Sequence, residues 1–181
     1  MKGRGRDSKM KKSIIFIGCL YLVSCGDYHV SNFIFQSYCN DKSVVGQFIY
    51  QREGLSDDFF REIPADGIAL RRVRGNFYLD NKKYLIDENK FSESYSYQFS
   101  KRSLLSKIGP IYEEKTVITR KSDGKILGKA VSLVNKKGWF HETNLLWTNT
   151  GELCPIYKSE TGRNIGNSDH FSLIQHIFYK K

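Results

Sequence analysis

The residues able to do chemistry in this sequence are few and poorly spaced for working together. The histidines are His29, His141, His170 and His176. His170 and His176 lie six apart, which misses the i, i+4 spacing of a helical metal pair. His141 precedes Glu142 on a strand-like stretch, where neighbouring side chains point to opposite faces. Each histidine is expected to be a surface residue or a hydrogen-bonded core residue. No C-x-x-C and no G-x-S-x-G nucleophile elbow occurs. The acidic pairs Asp57-Asp58, Asp87-Glu88 and Glu113-Glu114 are adjacent in sequence, and only tertiary structure could set an acid against a base across a cleft. Glu113-Glu114 reads instead as a solvated strand edge. Gly162–Gly166 contains two glycines but opens no βαβ unit, which argues against a phosphate loop. Arg71, Arg72 and Arg74 could face an acidic ligand. On a strand Arg72 and Arg74 share one face and Arg71 takes the other, so a solvated edge strand also accounts for them. No catalytic set, metal site or cofactor is expected, and the reading is non-enzymatic.

The strongest local signal lies elsewhere. Lys11-Lys12 forms a basic region ahead of the apolar run Ser13–Val23. A spanning helix needs about 20 apolar residues, and this run is about half that, the length of a signal-peptide core. Leu22-Val23-Ser24-Cys25-Gly26 closes it. That tail resembles the lipobox of bacterial lipoproteins: an aliphatic residue, a small or β-branched one, a small one, then the acylated cysteine. The resemblance covers residues 10–26 and implies thioether lipidation of Cys25, cleavage before it, and N-acylation of the new terminus by palmitate-type chains. Each buried CH₂ contributes about 0.8 kcal/mol, so two or three chains on one residue anchor stably where one would not. The competing interpretation is an ordinary secretory signal, which wants an A-x-A-like site that Leu22-Val23-Ser24 fits poorly. Residues 1–9 make the basic region unusually long, which moves the expected start of translation to Met10. The expected organisation is a signal peptide over 1–24, a lipidated tether over 25–32 and one globular domain over 33–181. In lipoprotein sorting an Asp directly after the lipidated Cys favours inner-membrane retention. Gly26 holds that place here, so the periplasmic leaflet of the outer membrane is favoured.

Processing would change both charge and thiol content. The chain carries 29 basic and 19 acidic residues, a formal net of +10. Six of the basic residues (Lys2, Arg4, Arg6, Lys9, Lys11, Lys12) and Asp7 precede Cys25, leaving 23 against 18, a net of +5. That excess is too modest for a nucleic-acid footprint, and no nucleic-acid partner is expected. Of the four cysteines, Cys19 leaves with the signal and Cys25 takes lipid. Cys39 and Cys154 remain, and in an oxidising envelope they most simply form a disulfide.

The elements that must carry these residues read as mainly β. The chain holds 12 Phe and 11 Tyr but only two Met, a composition that leans toward strands. Val44–Tyr50 is a strand candidate, and Ser56–Glu62 reads as a short helix capped by Ser56. Ile68–Arg74 and Asn76–Leu79 are strand-like, with Lys82–Ile86 returning as a hairpin partner after Asp80-Asn81. Tyr95–Ser100 alternates aromatic and polar residues as a half-buried strand does. Lys101–Lys107 reads as a basic connection. Ile111–Arg120, the turn Lys121–Gly124, Ile126–Val134 and the turn Asn135–Gly138 predict an antiparallel meander continuing into Trp139–Glu142. The end of the chain, His170–Tyr179, fits a helix with Phe171, Ile174, Ile177 and Phe178 near one face, though LIQHIFY also fits a last strand. The expected fold is therefore α+β, mainly β: a meander sheet, a short helix near 56–63, a C-terminal helix and one disulfide.

These features point to a membrane-anchored cell-envelope protein of binding or structural type with an envelope protein partner. An inhibitor, exclusion or immunity protein acting on a periplasmic partner fits the same small size and anchor. An envelope enzyme ranks below both, for want of a nucleophile–base set.

Overall fold

A computed structural model of the chain describes residues 26–67, 77–138, 151–158, 164–166 and 168–181. Its centre is an antiparallel meander of β6 (Tyr95–Ser106), β7 (Ile111–Arg120) and β8 (Ile126–Asn135). The free edge of β8 is shared by two short strands. β1 (Gly46–Ile49) pairs along Gly128 to Val131, and β9 (Glu152–Cys154) pairs along Leu133 to Asn135. The β7–β8 turn closes where expected: Asp123 accepts from the Lys125 amide at 3.1 Å, and Gly124 takes a left-handed φ of +69°.

Both faces of this sheet are covered. A helix over 26–40 (α1) packs Phe35 against Val45, Ile111, Leu133 and Cys154. The C-terminal helix (α2, Ser168–Ile177) sets Leu173, Ile174 and Ile177 against Ile118, Leu127 and Ala130 on the opposite face. Each such apolar side chain contributes about 1.5–3 kcal/mol by leaving water. Gly128 lets α2 approach, since a Cβ there would stand 2.7 Å from Ile177 Cδ1.

Around this core, β3 (Phe60–Arg61), β5 (Tyr84–Ile86) and β4 (Tyr78–Leu79) form a small antiparallel sheet. β10 (Ile156–Lys158) and β11 (Asn164–Gly166) form a hairpin. After α2 the chain ends in β12 (Phe178–Lys180), parallel to β2 (Glu53–Leu55). Phe178 packs with Phe91 and Tyr95 at ring-centroid distances of 5.2 and 4.8 Å.

The α+β, mainly β reading with a meander, a C-terminal helix and a Cys39–Cys154 disulfide is what the chain adopts. Several local expectations are corrected. Residues 26–32, expected as a tether, are helical and belong to α1, with Ser31 among them buried. The helix near 56–63 shrinks to a 3-10 turn, Asp57–Phe59. Ser56 does not cap its backbone, because its hydroxyl donates to the Asp58 carboxylate instead. The short α-helix lies at Glu88–Ser94, where the Asp87 carboxylate accepts from the amides of Asn89 and Lys90. Lys101–Ser106 continues β6 rather than connecting it. The helical reading holds through Ile177, and the strand reading applies to the last residues. Ile68–Asn76 and Trp139–Glu142 lie outside the described residues.

Cys39, near the end of α1, is bonded to Cys154 at the end of β9 across 115 residues, with Cα atoms 5.8 Å apart. A Cys39→Ser/Cys154→Ser variant is expected to lose about 2–4 kcal/mol of unfolding free energy. Urea denaturation of oxidised wild type against the variant measures it; coincident curves would show that packing alone holds α1.

Candidate functional site

Leu22, Val23, Ser24 and Cys25 lie outside the described residues, as do Arg71, Arg72 and Arg74. Cys39 and Cys154 are brought together at the α1-side core, where Cys154 is buried and Cys39 partly buried. The described surface offers a site the sequence did not suggest, at the end of the sheet where the chain terminates.

It is an open groove of about 500 Å³, walled by Arg52, Tyr84, Gln175, Tyr179, Lys180 and Lys181 among others. Its construction follows from β12. Phe178 points into the aromatic core, which turns Tyr179 outward, 45% exposed. The Arg52 guanidinium carbon sits 5.6 Å from the Tyr179 ring centroid, and Lys180 Nζ sits 4.6 Å from that of Tyr84. Lys180 also pairs with Asp57 at 2.9 Å, and this hydrogen bond holds its ammonium above the usual lysine range. Basic groups beside aromatic faces suit an acidic or planar group from a partner. The groove contains no nucleophile–base pair.

One such pair does exist, in the core. Ser132 Oγ lies 3.0 Å from His170 Nε2, and Thr116 Oγ1 lies 2.6 Å from Nδ1. Exposed, this would resemble a nucleophile with its base. Ser132 is 1% exposed, Thr116 0% and His170 3%, so no substrate reaches them. The trio pins the start of α2 to β7 and β8, and Tyr97 Oη donates to the His170 carbonyl at 3.0 Å. His170 is thus a hydrogen-bonded core histidine, one of the two expected roles. Nearby, Glu114 is buried on the central strand β7 and accepts from Arg102 Nε at 2.6 Å. It is no solvated edge.

A second charged network lies at the β7–β8 turn. Arg120 binds Asp123 at 2.7 Å and Glu53 at 3.2 Å. The hydrogen bond from Arg120, followed by the Lys125 amide, lowers the Asp123 carboxyl to about 2. Its contribution to stability is present above the ordinary carboxylate range and is lost as pH falls toward 2. The Tyr95 phenol is pushed up to about 12, first by burial and then by the Glu53 charge.

Among the described residues no group of three or more His, Cys, Asp or Glu could hold a metal ion, and no helix is long and apolar enough to cross a membrane. No protein family, curated protein or solved structure matches the chain.

Two outcomes are expected. Replacing His170→Ala strands two buried hydroxyls and is expected to cost roughly 2–4 kcal/mol in chemical denaturation; a cost within error would show that the hydroxyls re-pair with each other. In alkaline titration of phenolate absorbance, one tyrosine ionises near pH 12, and Tyr95→Phe removes that component. Since the folded value is raised, stability is full below the ordinary tyrosine pKa of about 10 and falls as pH climbs toward 12.

Proposed function

We propose that the protein is a cell-envelope lipoprotein of binding type, anchored through acylated Cys25 and processed at Leu22-Val23-Ser24-Cys25. The observation that carries this is the cysteine-terminated motif placed directly after a basic region and a short apolar core. The Cys39–Cys154 disulfide supports it, because such bonds persist in oxidising compartments. Gly26 after the lipidated residue favours the periplasmic leaflet of the outer membrane. The groove formed by Arg52, Tyr84, Tyr179 and Lys181 is the surface offered to an envelope protein, by way of an acidic segment of that partner.

Cys25→Ala is expected to abolish fatty-acid labelling and release the protein from membranes. Unchanged membrane association would sink the reading. For the groove, a photo-crosslinking residue in place of Tyr179 is expected to capture one envelope protein in living cells, and Arg52→Glu should abolish the adduct. Capture of an incoming toxin or donor-cell protein would move the assignment to the protective class; equal capture by the Arg52→Glu protein would remove the groove from consideration.

A further inference from the structure

We infer that the protein has no free linker at its anchor and rests directly on the bilayer, through a surface made by α1 and the β6–β7 turn. This rests on lipidation of Cys25. Cys25 is bonded to Gly26, the first described residue, and Gly26 is already helical. Residues 27–31 of α1 meet this end of the sheet at three places. Ser31 is fully buried and its Oγ donates to Asn135 Oδ1 at 2.6 Å. Gly109, in the β6–β7 turn, packs so tightly on Ser31 that a Cβ would clash with it. Gly138, after β8, lies against the Asp27 carboxylate, whose Oδ2 would stand 2.5 Å from a Cβ there. Both glycines have left-handed φ values, +56° and +102°, so a bulkier residue is disfavoured twice over.

These contacts put the anchor point, the β6–β7 turn and the end of β8 at one end of the sheet. That end carries exposed apolar side chains on its outside. Ile108, beside Gly109, is 65% exposed; Val30 and Phe33, on the outer face of α1, are 48% and 77% exposed. Leu104 and Leu105, at the end of β6, are also exposed, and the exposed Lys107 follows them in the chain. An apolar rim with a basic residue is what a headgroup layer accepts, the side chains entering the acyl boundary while the ammonium meets anionic lipid. An acyl chain bonded one residue away removes most of the cost of bringing this rim to the bilayer, because the second contact is intramolecular. The groove at Tyr179 lies at the other end. β1 pairs at Gly128 with the early part of β8, and α2 runs back to that end before β12 begins. Ten residues of β8 separate the two ends by about 33 Å, so docking would hold the groove outward into solvent.

The test uses the full lipoprotein, isolated from membranes with its fatty-acid label and disulfide intact, and carrying an environment-sensitive dye at Ile108→Cys. A second preparation carries the dye at Ser122→Cys, in the exposed β7–β8 turn at the far end. Both enter vesicles of phosphatidylethanolamine with a minority of phosphatidylglycerol, with and without a headgroup-region nitroxide lipid quencher. Direct seating predicts loss of emission at position 108 and retained emission at 122. Phe33→Asp in the 108-labelled protein should restore emission while leaving the fatty-acid label in place. Retained emission at 108 in a labelled, vesicle-bound protein overturns the inference and leaves the anchor standing. Protein lacking the fatty-acid label fails the anchor reading instead. Emission at 108 that is insensitive to the quencher but rises with protein density marks a contact between copies, which also overturns bilayer seating.

Discussion

The structure depends on β8 being buried on both faces. Of its ten residues, nearly all from Leu127 to Asn135 are hidden, with Lys129 half-buried. A strand in that position cannot alternate apolar and polar residues, and Leu-Gly-Lys-Ala-Val-Ser-Leu-Val does not. The polar members of β8 therefore need partners from the layers above and below. Ser132 meets His170 from α2, and Asn135 meets Ser31 from α1. Hydrogen bonds thus register each helix on the sheet in addition to its apolar contacts, α1 through Ser31 and α2 through His170, which also meets Thr116. An unpaired buried hydroxyl or amide costs about 1–3 kcal/mol, which penalises any slipped docking of either helix. Gly128 adds a steric version of the same constraint at the other end of α2.

The two ends of that sheet have different characters. One collects the start of α1, the apolar β6–β7 turn and the close glycine contacts. The other collects the parallel β2–β12 pair, the aromatic cluster of Phe91, Tyr95 and Phe178, and the cation–aromatic groove. Parallel pairing of the last strand with β2 is what joins Arg52 to Tyr179 and Lys180. These residues are far apart in sequence, so no motif announces them. The charge of the groove is also partly spent internally, since Lys180 is paired with Asp57 and Asp80 lines one wall.

Much of the fold was legible because the turns are explicit. Lys121–Gly124 and Asn135–Gly138 bracket β8, and Gly138 does take the left-handed conformation a tight turn needs. The disulfide was legible by elimination among four cysteines. The misreadings have physical causes. Asp27, His29, Ser31 and Asn32 look like a solvated tether, yet Ser31 and Phe35 lie one turn apart and both are buried. Lys101-Arg102-Ser103 looks like a connection because a charged pair interrupts the alternation, but Arg102 is neutralised across the ladder by Glu114. The helix at Glu88–Ser94 has one buried apolar residue, Phe91, so periodicity was silent and only the Asp87 cap marked it. Ser56, with two acids after it, resembled a cap and bonded a side chain instead.

Anchoring through Cys25, as proposed, would place α1 between a lipid and the Cys39–Cys154 disulfide, with a mechanical consequence. Fourteen residues separate Cys25 from Cys39. As a helix that span covers about 21 Å, and fully extended it reaches about 50 Å. Undocking α1 would therefore convert the same segment from a close mount into a long tether without breaking either covalent attachment. What prevents this is local: Phe35 in the α1-side core, Ser31 on Asn135, and Gly109, which lets its turn approach the Ser31 backbone. Phe35 is the one fully buried apolar side chain of α1, with Ile34 and Tyr38 partly buried beside it, whereas α2 buries Leu173, Ile174 and Ile177 fully. The disulfide fixes the Cys39 end of the helix, so with Cys25 lipidated as proposed, undocking would begin at the Gly26 end.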